Sequence, residues 1–353
     1  RGTGNDVQFQ VAKAASTDDF DKWNSDRDRV IADAESYRRT NRYYTGASDL
    51  DAYGRWSNVP DYGPVWVPRV AVGWAPYRHG RWVWTAYWGW TWTASEPWGW
   101  APYHYGRWFV HDGSWGWWPG PVTPIYRPVY APAYVSFFGF GSHSGISVGV
   151  SFGGGFGSIG WLPAGPCDFV NPWWGSHRNN FNVVNVTNIT NVYNVRNVNV
   201  IAPLRGGERD SNVHNMLNNN QVRYGLSTVS ADNFGHGRAD VHTVSAAELR
   251  DGRFMTGNVP VVPSRESLRT SDRTVVAGAS RPQTQEQRFF SRRMPSNQRE
   301  SFSDESARVQ QAIGRDERTA DNRGADNRPA GNFGGFGNRN GNAAEANSQR
   351  QSS

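Results

Sequence analysis

The sequence predicts a mainly β protein. It should hold a small antiparallel β domain of repeated Trp-rich hairpins, with an N-terminal helix, extended β arms and a disordered C-terminal tail. Three observations carry this expectation. Fourteen of the 18 Trp lie between Trp56 and Trp118. Within that block the chain repeats itself at a spacing of 26 residues: Gly73-Trp74-Ala75-Pro76-Tyr77 returns as Gly99-Trp100-Ala101-Pro102-Tyr103, and Gly80-Arg81-Trp82 returns as Gly106-Arg107-Trp108. After Arg281 the chain is almost all Arg, Asn, Gln, Ser, Gly and acid, which leaves too little apolar surface to offset the entropy of ordering.

Taken in order, residues 1–15 end in the alternating run Val7-Gln8-Phe9-Gln10-Val11, which reads as the last strand of an upstream β domain. Residues 16–52 form a linker helix. Ser16 with Asp19 resembles a capping box, and Phe20, Trp23, Val30, Ala34 and Tyr37 share a face expected to pack on the next domain. Residues 53–120 are the Trp-rich repeat domain. Trp82 and Trp84, and again Trp88, Trp90 and Trp92, lie two apart as strand residues on one face do. A partial third copy, Trp115-Gly116-Trp117-Trp118-Pro119, is displaced by one residue. Gly and Pro at the corners suit hairpin turns.

Residues 121–200 change character. Pro121, Pro124, Pro128 and Pro132 interleave with Tyr126, Tyr130 and Tyr134, favouring an extended, polyproline-like path over the β domain. Ile146, Val148, Val150 and Phe152 then alternate with Gly and Ser, as in a strand with one bare face. Between residues 182 and 199 stand six Asn-[Val/Ile]-x triplets, from Asn182-Val183-Val184 to Asn197-Val198-Asn199. A period of three fits neither strand nor helix, so no single buried face is defined and strand register is weakly specified. The run reads either as an arm or edge strand of its own domain or as a site of strand addition between chains. In the second case Asn185, Val186, Asn188, Ile189, Asn191 and Val192 would make the contacts. Residues 201–280 look semi-structured, with Ser245 and Glu248 capping a short helix over 246–251. Residues 281–353 are the expected disordered tail, with transient helix at 285–293 and 303–313.

The search for chemistry finds no catalytic set. His104 and His111 flank Arg107-Trp108 at a spacing that is a weak metal signal. Gly155-x-Gly157-x-x-Gly160 matches a dinucleotide fingerprint by letter but has no βαβ context. The lone Cys167 excludes a disulfide framework, and its neighbour Asp168 should raise the thiol pKa. Asp61, Glu96 and Asp112 are the only acids in the Trp block and read as turn residues rather than a glycosidase pair. No cofactor and no metal is implied, and the chain is not expected to be an enzyme. Ligand contact, if any, falls to Trp115, Trp117 and Trp118 with Arg107, the other Trp being core. Of 37 basic residues only Lys13 and Lys22 are Lys, and much of the Arg excess lies in the acid-balanced tail, which disfavours nucleic acid. No run of 18 apolar residues exists, so no transmembrane helix is expected. A start at Arg1, without Met or a signal-like segment, suggests a processed or excised piece.

Asp19-Phe20-Asp21-Lys22-Trp23, Asp26-Arg27-Asp28-Arg29, Leu50-Asp51-Ala52-Tyr53-Gly54-Arg55-Trp56 and the run 65–120 resemble a bacterial family of unknown function. Its members carry a Tyr/Trp-rich domain, often downstream of a FecR-like domain in exported proteins. Trp161-Leu162-Pro163, the Asn/Val run and Val229-Ser230-Ala231-Asp232-Asn233-Phe234 extend the likeness over about residues 17–280. The resemblance implies a periplasmic, outer-surface or extracellular location, with 7–11 the remnant of the FecR-like domain. The expected function is a non-enzymatic structural or adhesive protein of the envelope that contacts other protein chains, itself included. The alternatives are a cell-wall glycan or peptidoglycan-binding module using exposed Trp, or a FecR-type signalling component.

Overall fold

The computed structural model describes residues 16–40, 43–123, 125–141, 156–175, 181–185, 201–273 and 301–325. The strands expected at 7–11 and 146–152 and the helix expected at 285–293 lie outside them. Helix α1 (Asp19–Asp33) is capped by Asp18 and Asp21, each carboxylate accepting from the other's backbone N–H at 2.9 and 3.2 Å, so the capping box starts two residues after Ser16. None of its residues is buried, and Phe20 and Trp23 stack on each other in the open. The expected packing face is thus split. Ala34 breaks the helix with extended dihedrals, and only Ala34, Ser36 and Tyr37, at and after the break, reach the core. There Ser36 at the start of α2 (Glu35–Arg39) donates its backbone N–H to Asp51 at 3.1 Å.

Three hairpins follow, each preceded by a helical or turn segment. They pair β1 (Gly54–Val59) with β2 (Gly63–Pro68), β3 (Gly80–Thr85) with β4 (Gly89–Ala94), and β5 (Arg107–His111) with β6 (Ser114–Trp118). Short helices α3 (Leu50–Tyr53) and α4 (Trp100–His104) lead into the first and third. The repeat is therefore fuller than two and a half copies, because Gly54-Arg55-Trp56 is a third Gly-Arg-Trp, again 26 residues before Gly80. Each hairpin sets one Trp opposite another: Trp56 faces Trp66, Trp82 faces Trp92 and Trp108 faces Trp117. The one-residue displacement of the last copy comes from its turn. The first two hairpins turn through three residues, whereas the third uses Asp112-Gly113 alone, at φ 48° and 72°. Positive φ at both positions is the type I′ geometry that Asp-Gly favours.

The glycine of each Gly-Arg-Trp has a packing role. A Cβ at Gly54 would collide with the Trp66 indole, one at Gly80 would lie 2.5 Å from Trp92 and from the Thr93 carbonyl, and one at Gly106 would lie 2.6 Å from Trp117. In each hairpin the bare position is the seat for the indole from the facing strand. Two of the three seated rings are fixed further by their N–H groups, Trp66 Nε1 donating to the Leu50 carbonyl at 3.0 Å and Trp117 Nε1 to the Tyr105 carbonyl at 2.8 Å.

The first and third hairpins join in one sheet of order β1-β2-β6-β5, while β3–β4 stands as its own ribbon. A six-stranded sheet closes the structure: β11 (His242–Thr243), β10 (Ser227–Ser230), β8 (Ser158–Pro163), β7 (Val135–Phe140), β12 (Arg253–Gly257) and β9 (Phe181–Asn185). Its central strands are buried on both sides. Val135, Phe137, Ile159, Trp161 and Met255 join the Trp core of the hairpins. Phe138, Phe140, Leu162 and Phe254 face away, onto Val213, Met216 and Val222 from α5 (Asn212–Asn215) and α6 (Asn220–Tyr224). The span 201–273 is thus part of the body, and its short helix α7 (Ala246–Arg250) carries the expected Ser245–Glu248 capping box.

Between the hairpins and this sheet, residues 125–134 run extended over the β body, in keeping with the Pro/Tyr pattern. Ala131 donates to the His104 carbonyl at 3.1 Å, Trp92 to the Pro132 carbonyl at 3.0 Å, and Tyr134 to the Tyr77 hydroxyl at 3.0 Å. Inside the presumptive tail, α8 (Phe302–Ala325) is a regular helix. Val309 and Ile313, four apart, are buried in the main core, and Glu305 accepts from Trp84 Nε1 at 3.0 Å. The sequence expects transient helix over 303–313 there, and Val309 and Ile313 suffice to fix it because the Trp body offers them a surface.

Two stability effects should follow. Replacing Gly80 by Ala puts a methyl where backbone and indole leave no room, and should cost about 1–3 kcal/mol in urea denaturation. Gly206→Ala, with nothing within 4 Å of the new atom, should be neutral. His104 is buried, its Nδ1 2.8 Å from the Ala131 carbonyl, and burial lowers its pKa from 6.5 to about 4. As pH falls from about 6.5 to about 4, the unfolded chain gains a proton that the folded chain refuses, so stability drops across that window. Burial raises the Glu96 and Asp168 carboxyls, whose contribution has the opposite slope. His104→Gln should remove only the histidine part, up to about 3 kcal/mol of the fall between neutral pH and pH ~4.

Candidate functional site

The four residues expected to meet a ligand are inside the protein. Trp115, Trp117, Trp118 and Arg107 are each at most 5% exposed. The two faces of β6 are both covered, Trp115 and Trp117 joining the main core and Trp118 a smaller cluster with Val59, Val65 and Phe109. Trp118 Nε1 donates to the Tyr62 carbonyl at 2.9 Å. Arg107 lies 4.2 Å over the ring of Tyr134 and donates to the carbonyls of Gly106 at 2.8 Å and Ala202 at 3.4 Å. It is a structural cation, stacked and hydrogen-bonded rather than offered to a ligand. Of the expected assembly residues, Asn185 ends β9 opposite Arg253, and Val186, Asn188, Ile189, Asn191 and Val192 lie outside the described residues.

One edge of Trp115 nevertheless borders a concavity. A groove of about 320 Å³ runs between the β2–β3 connection (Val67, Pro68, Val70 to Trp74), the β5–β6 turn (Gly113, Ser114) and α6 (Gln221, Tyr224). Its aromatic walls are Trp74, Trp115 and Tyr224, the last 43% exposed. Each wall is fixed from behind. Gln221 Nε2 donates to the Gly113 carbonyl at 2.6 Å, tying helix to turn. The Arg78 guanidinium lies 4.3 Å over the Tyr224 ring and donates to the carbonyls of Gly73, at 3.4 Å, and Tyr224.

Trp74 Nε1 donates to Glu96 Oε1 at 3.1 Å, and the Tyr103 hydroxyl donates to the same oxygen at 3.1 Å. Burial raises the Glu96 pKa, and these two donors work against that rise. Glu96 is a turn residue, as the sequence expects, its carbonyl accepting from Gly99 N at 3.0 Å, and its side chain also braces the groove's main ring. Nothing local in the sequence singles it out, because its partners lie 22 residues before and 7 residues after it. Trp74 itself was grouped with the core, and the signal that separates it is its place in a connection rather than in a strand.

The remaining candidates do not converge on chemistry. Asp61 sits at a hairpin turn beside Arg205 at 3.7 Å, and Asp112 at another beside His111 at 3.3 Å. His104 is buried under the extended segment, so it and His111 share no site. Burial is the main cause of the raised Cys167 pKa; a backbone hydrogen bond at Asp210 works against it, and the Asp210 and Asp168 charges add to it. Asp168 itself is buried and accepts from Gly165 N at 2.6 Å, Asn212 N at 3.0 Å and Ser211 Oγ. Among the described residues no group of three or more His, Cys, Asp or Glu is placed to hold a metal ion. No helix among them is long and apolar enough to cross a membrane.

The groove offers three rings, a Ser hydroxyl and a Gln amide around a space the size of a small ligand site. No curated protein and no solved structure matches the chain. Residues 47–168, from the turn before α3 through the three hairpins and β7–β8 to the buried Asp168, match the model of a family of unknown function, DUF6600.

Proposed function

We propose that the chain is a non-enzymatic structural or adhesive protein of the bacterial envelope or extracellular space, and that it assembles with other chains through its Asn/Val run. The observation that carries this is the position of β9. Residues 181–185, which include the first Asn-Val triplet, form the edge strand of the six-stranded sheet, pairing antiparallel with β12 from Phe181 opposite Gly257 to Asn185 opposite Arg253. Helix α8 approaches β9, and no described strand pairs with its outer edge. A strand edge that leads into a run of weakly specified register is suited to pairing with another chain. Export is supported by the likeness to proteins that carry a FecR-like domain. The test is sedimentation of the full chain over a wide concentration range. Self-association is expected, and replacing residues 186–200 by a Gly/Ser linker of equal length, which leaves β9 intact, should abolish it. A wild-type chain that stays monomeric throughout would sink the assembly reading.

The groove favours a second reading, a module that binds cell-wall glycan. Trp74 and Tyr224 offer ring faces to sugar C–H groups while Ser114 and Gln221 offer polar edges. Titration with peptidoglycan fragments should shift the Trp emission, and Tyr224→Ala should weaken binding by about tenfold. No spectral change with any cell-wall glycan removes this reading.

A further inference from the structure

The hairpins leave a second group of rings at the surface, away from the residues that line the groove. Tyr87 and Trp88 form the β3–β4 turn, Trp100 opens α4, Tyr130 comes from the extended segment, and Trp174 follows the buried Trp173. Tyr87 is 63% exposed and Trp100 49%, and the other three are half-buried. They form a continuous chain of contacts. Tyr87 meets Trp88 at 4.8 Å, Trp88 meets Tyr130 at 4.9 Å and Trp174 at 6.2 Å, and Tyr130 meets Trp100 at 6.1 Å. A monomer seldom leaves so many large rings together at its surface without a partner for them.

The angles between the rings indicate what kind of partner fits. Tyr87 stands at 88° to Trp88 and Trp88 at 65° to Tyr130 and 56° to Trp174, while Trp100 lies at 30° to Tyr130. The steep angles around Trp88 make a ridged surface there, with slots between the ridges. A polysaccharide lying flat needs several ring faces in one plane, and this array does not present them. A polyproline-type chain is the complementary shape, because its side chains project at intervals from an extended, preformed backbone and enter slots between upright aromatic rings.

The protein already fills one slot in this way with its own chain. In Pro128-Val129-Tyr130-Ala131-Pro132, the Tyr130 ring is held among Trp88, Trp100, His104 at 5.1 Å and Tyr105 at 5.8 Å. The backbone on either side is hydrogen-bonded to His104 and Trp92. The exposed rings continue that internal interface outward.

We propose that the ledge formed by Tyr87, Trp88, Trp100 and Trp174 docks a proline- and tyrosine-rich extended segment of a partner protein. The proposal is independent of the groove and of the Asn/Val run. It is tested by titrating the full chain with a peptide carrying two copies of Pro-Val-Tyr-Ala-Pro, followed by Trp emission and calorimetry. Saturable binding is expected. Tyr87→Ala and Trp100→Ala, at exposed positions, should each weaken it at least about tenfold with an unchanged circular dichroism spectrum. A peptide with Ala in place of every Pro should also bind at least about tenfold more weakly, and Tyr224→Ala in the groove should bind as the wild type does. The proposal is overturned by the absence of saturable binding at millimolar peptide, or by binding that both ledge variants leave intact. It is equally overturned if cell-wall polysaccharide, and not the peptide, binds in a way that Tyr87→Ala and Trp100→Ala abolish.

Discussion

The structure depends on how an indole is seated against a glycine across a hairpin. Trp is the largest side chain, and each seated indole packs closely into the space left by a residue without a Cβ, two positions before the Trp that the indole faces. Gly54, Gly80 and Gly106 supply that space, and the rings that enter it belong to Trp66, Trp92 and Trp117. Once seated, the rings are too large for a single hairpin to cover. They project beyond it and gather into one cluster in which Trp66 meets Trp98 at 4.8 Å and Trp82 meets both Trp92 and Trp161 within 6 Å. The packing is edge to face, as the quadrupoles of neighbouring rings favour.

That cluster explains why the Trp block does not stand as a domain by itself. Its inner surface is completed by Phe137, Trp161, Trp173 and Phe234 from the chain beyond residue 120, and by Val309 and Ile313 from α8. Tyr77 lies at this junction. It is buried at a positive φ of 59°, its hydroxyl donates to the Tyr103 carbonyl and accepts from Tyr134 N, and its carbonyl accepts from Trp161 Nε1. A bulky residue tolerates that backbone conformation only where its surroundings over-determine it, and three separate parts of the chain do so here.

The groove and the exposed ring ledge are by-products of the same repeat. Trp74 and Trp100 occupy equivalent places in the two Gly-Trp-Ala-Pro-Tyr copies, and neither is in the sheets. Trp74 is drawn into the groove wall by Glu96, and Trp100 stays at the surface beside Tyr130. Most strand Trp enter the core, as do Trp98 and Trp173 outside the strands, whereas Trp74 and Trp100 keep part of their rings exposed. Trp115, Trp117 and Trp118, the contact residues the sequence suggests, are covered because both faces of β6 are packed against other elements, and only Trp115 borders the groove.

Much of the fold was legible before any coordinates. The 26-residue period, the alternation of Trp within strands, the Asp-Gly turn and the Ser245–Glu248 cap are local, and local geometry decides them in the same way wherever they occur. The central strand β7 was not legible, since Val-Ser-Phe-Phe-Gly-Phe does not alternate when both faces are buried. The three Gly-Arg-Trp copies mark the boundary most clearly. Arg55 is exposed, Arg81 forms a forked pair with Asp272 at 2.9 and 2.7 Å, and Arg107 is buried over Tyr134. Sequence alone determined that each arginine would sit beside a paired Trp on a hairpin strand. Only the tertiary structure decided whether it would be solvated, ion-paired or entombed, because that depends on which distant segment comes to cover its face of the sheet.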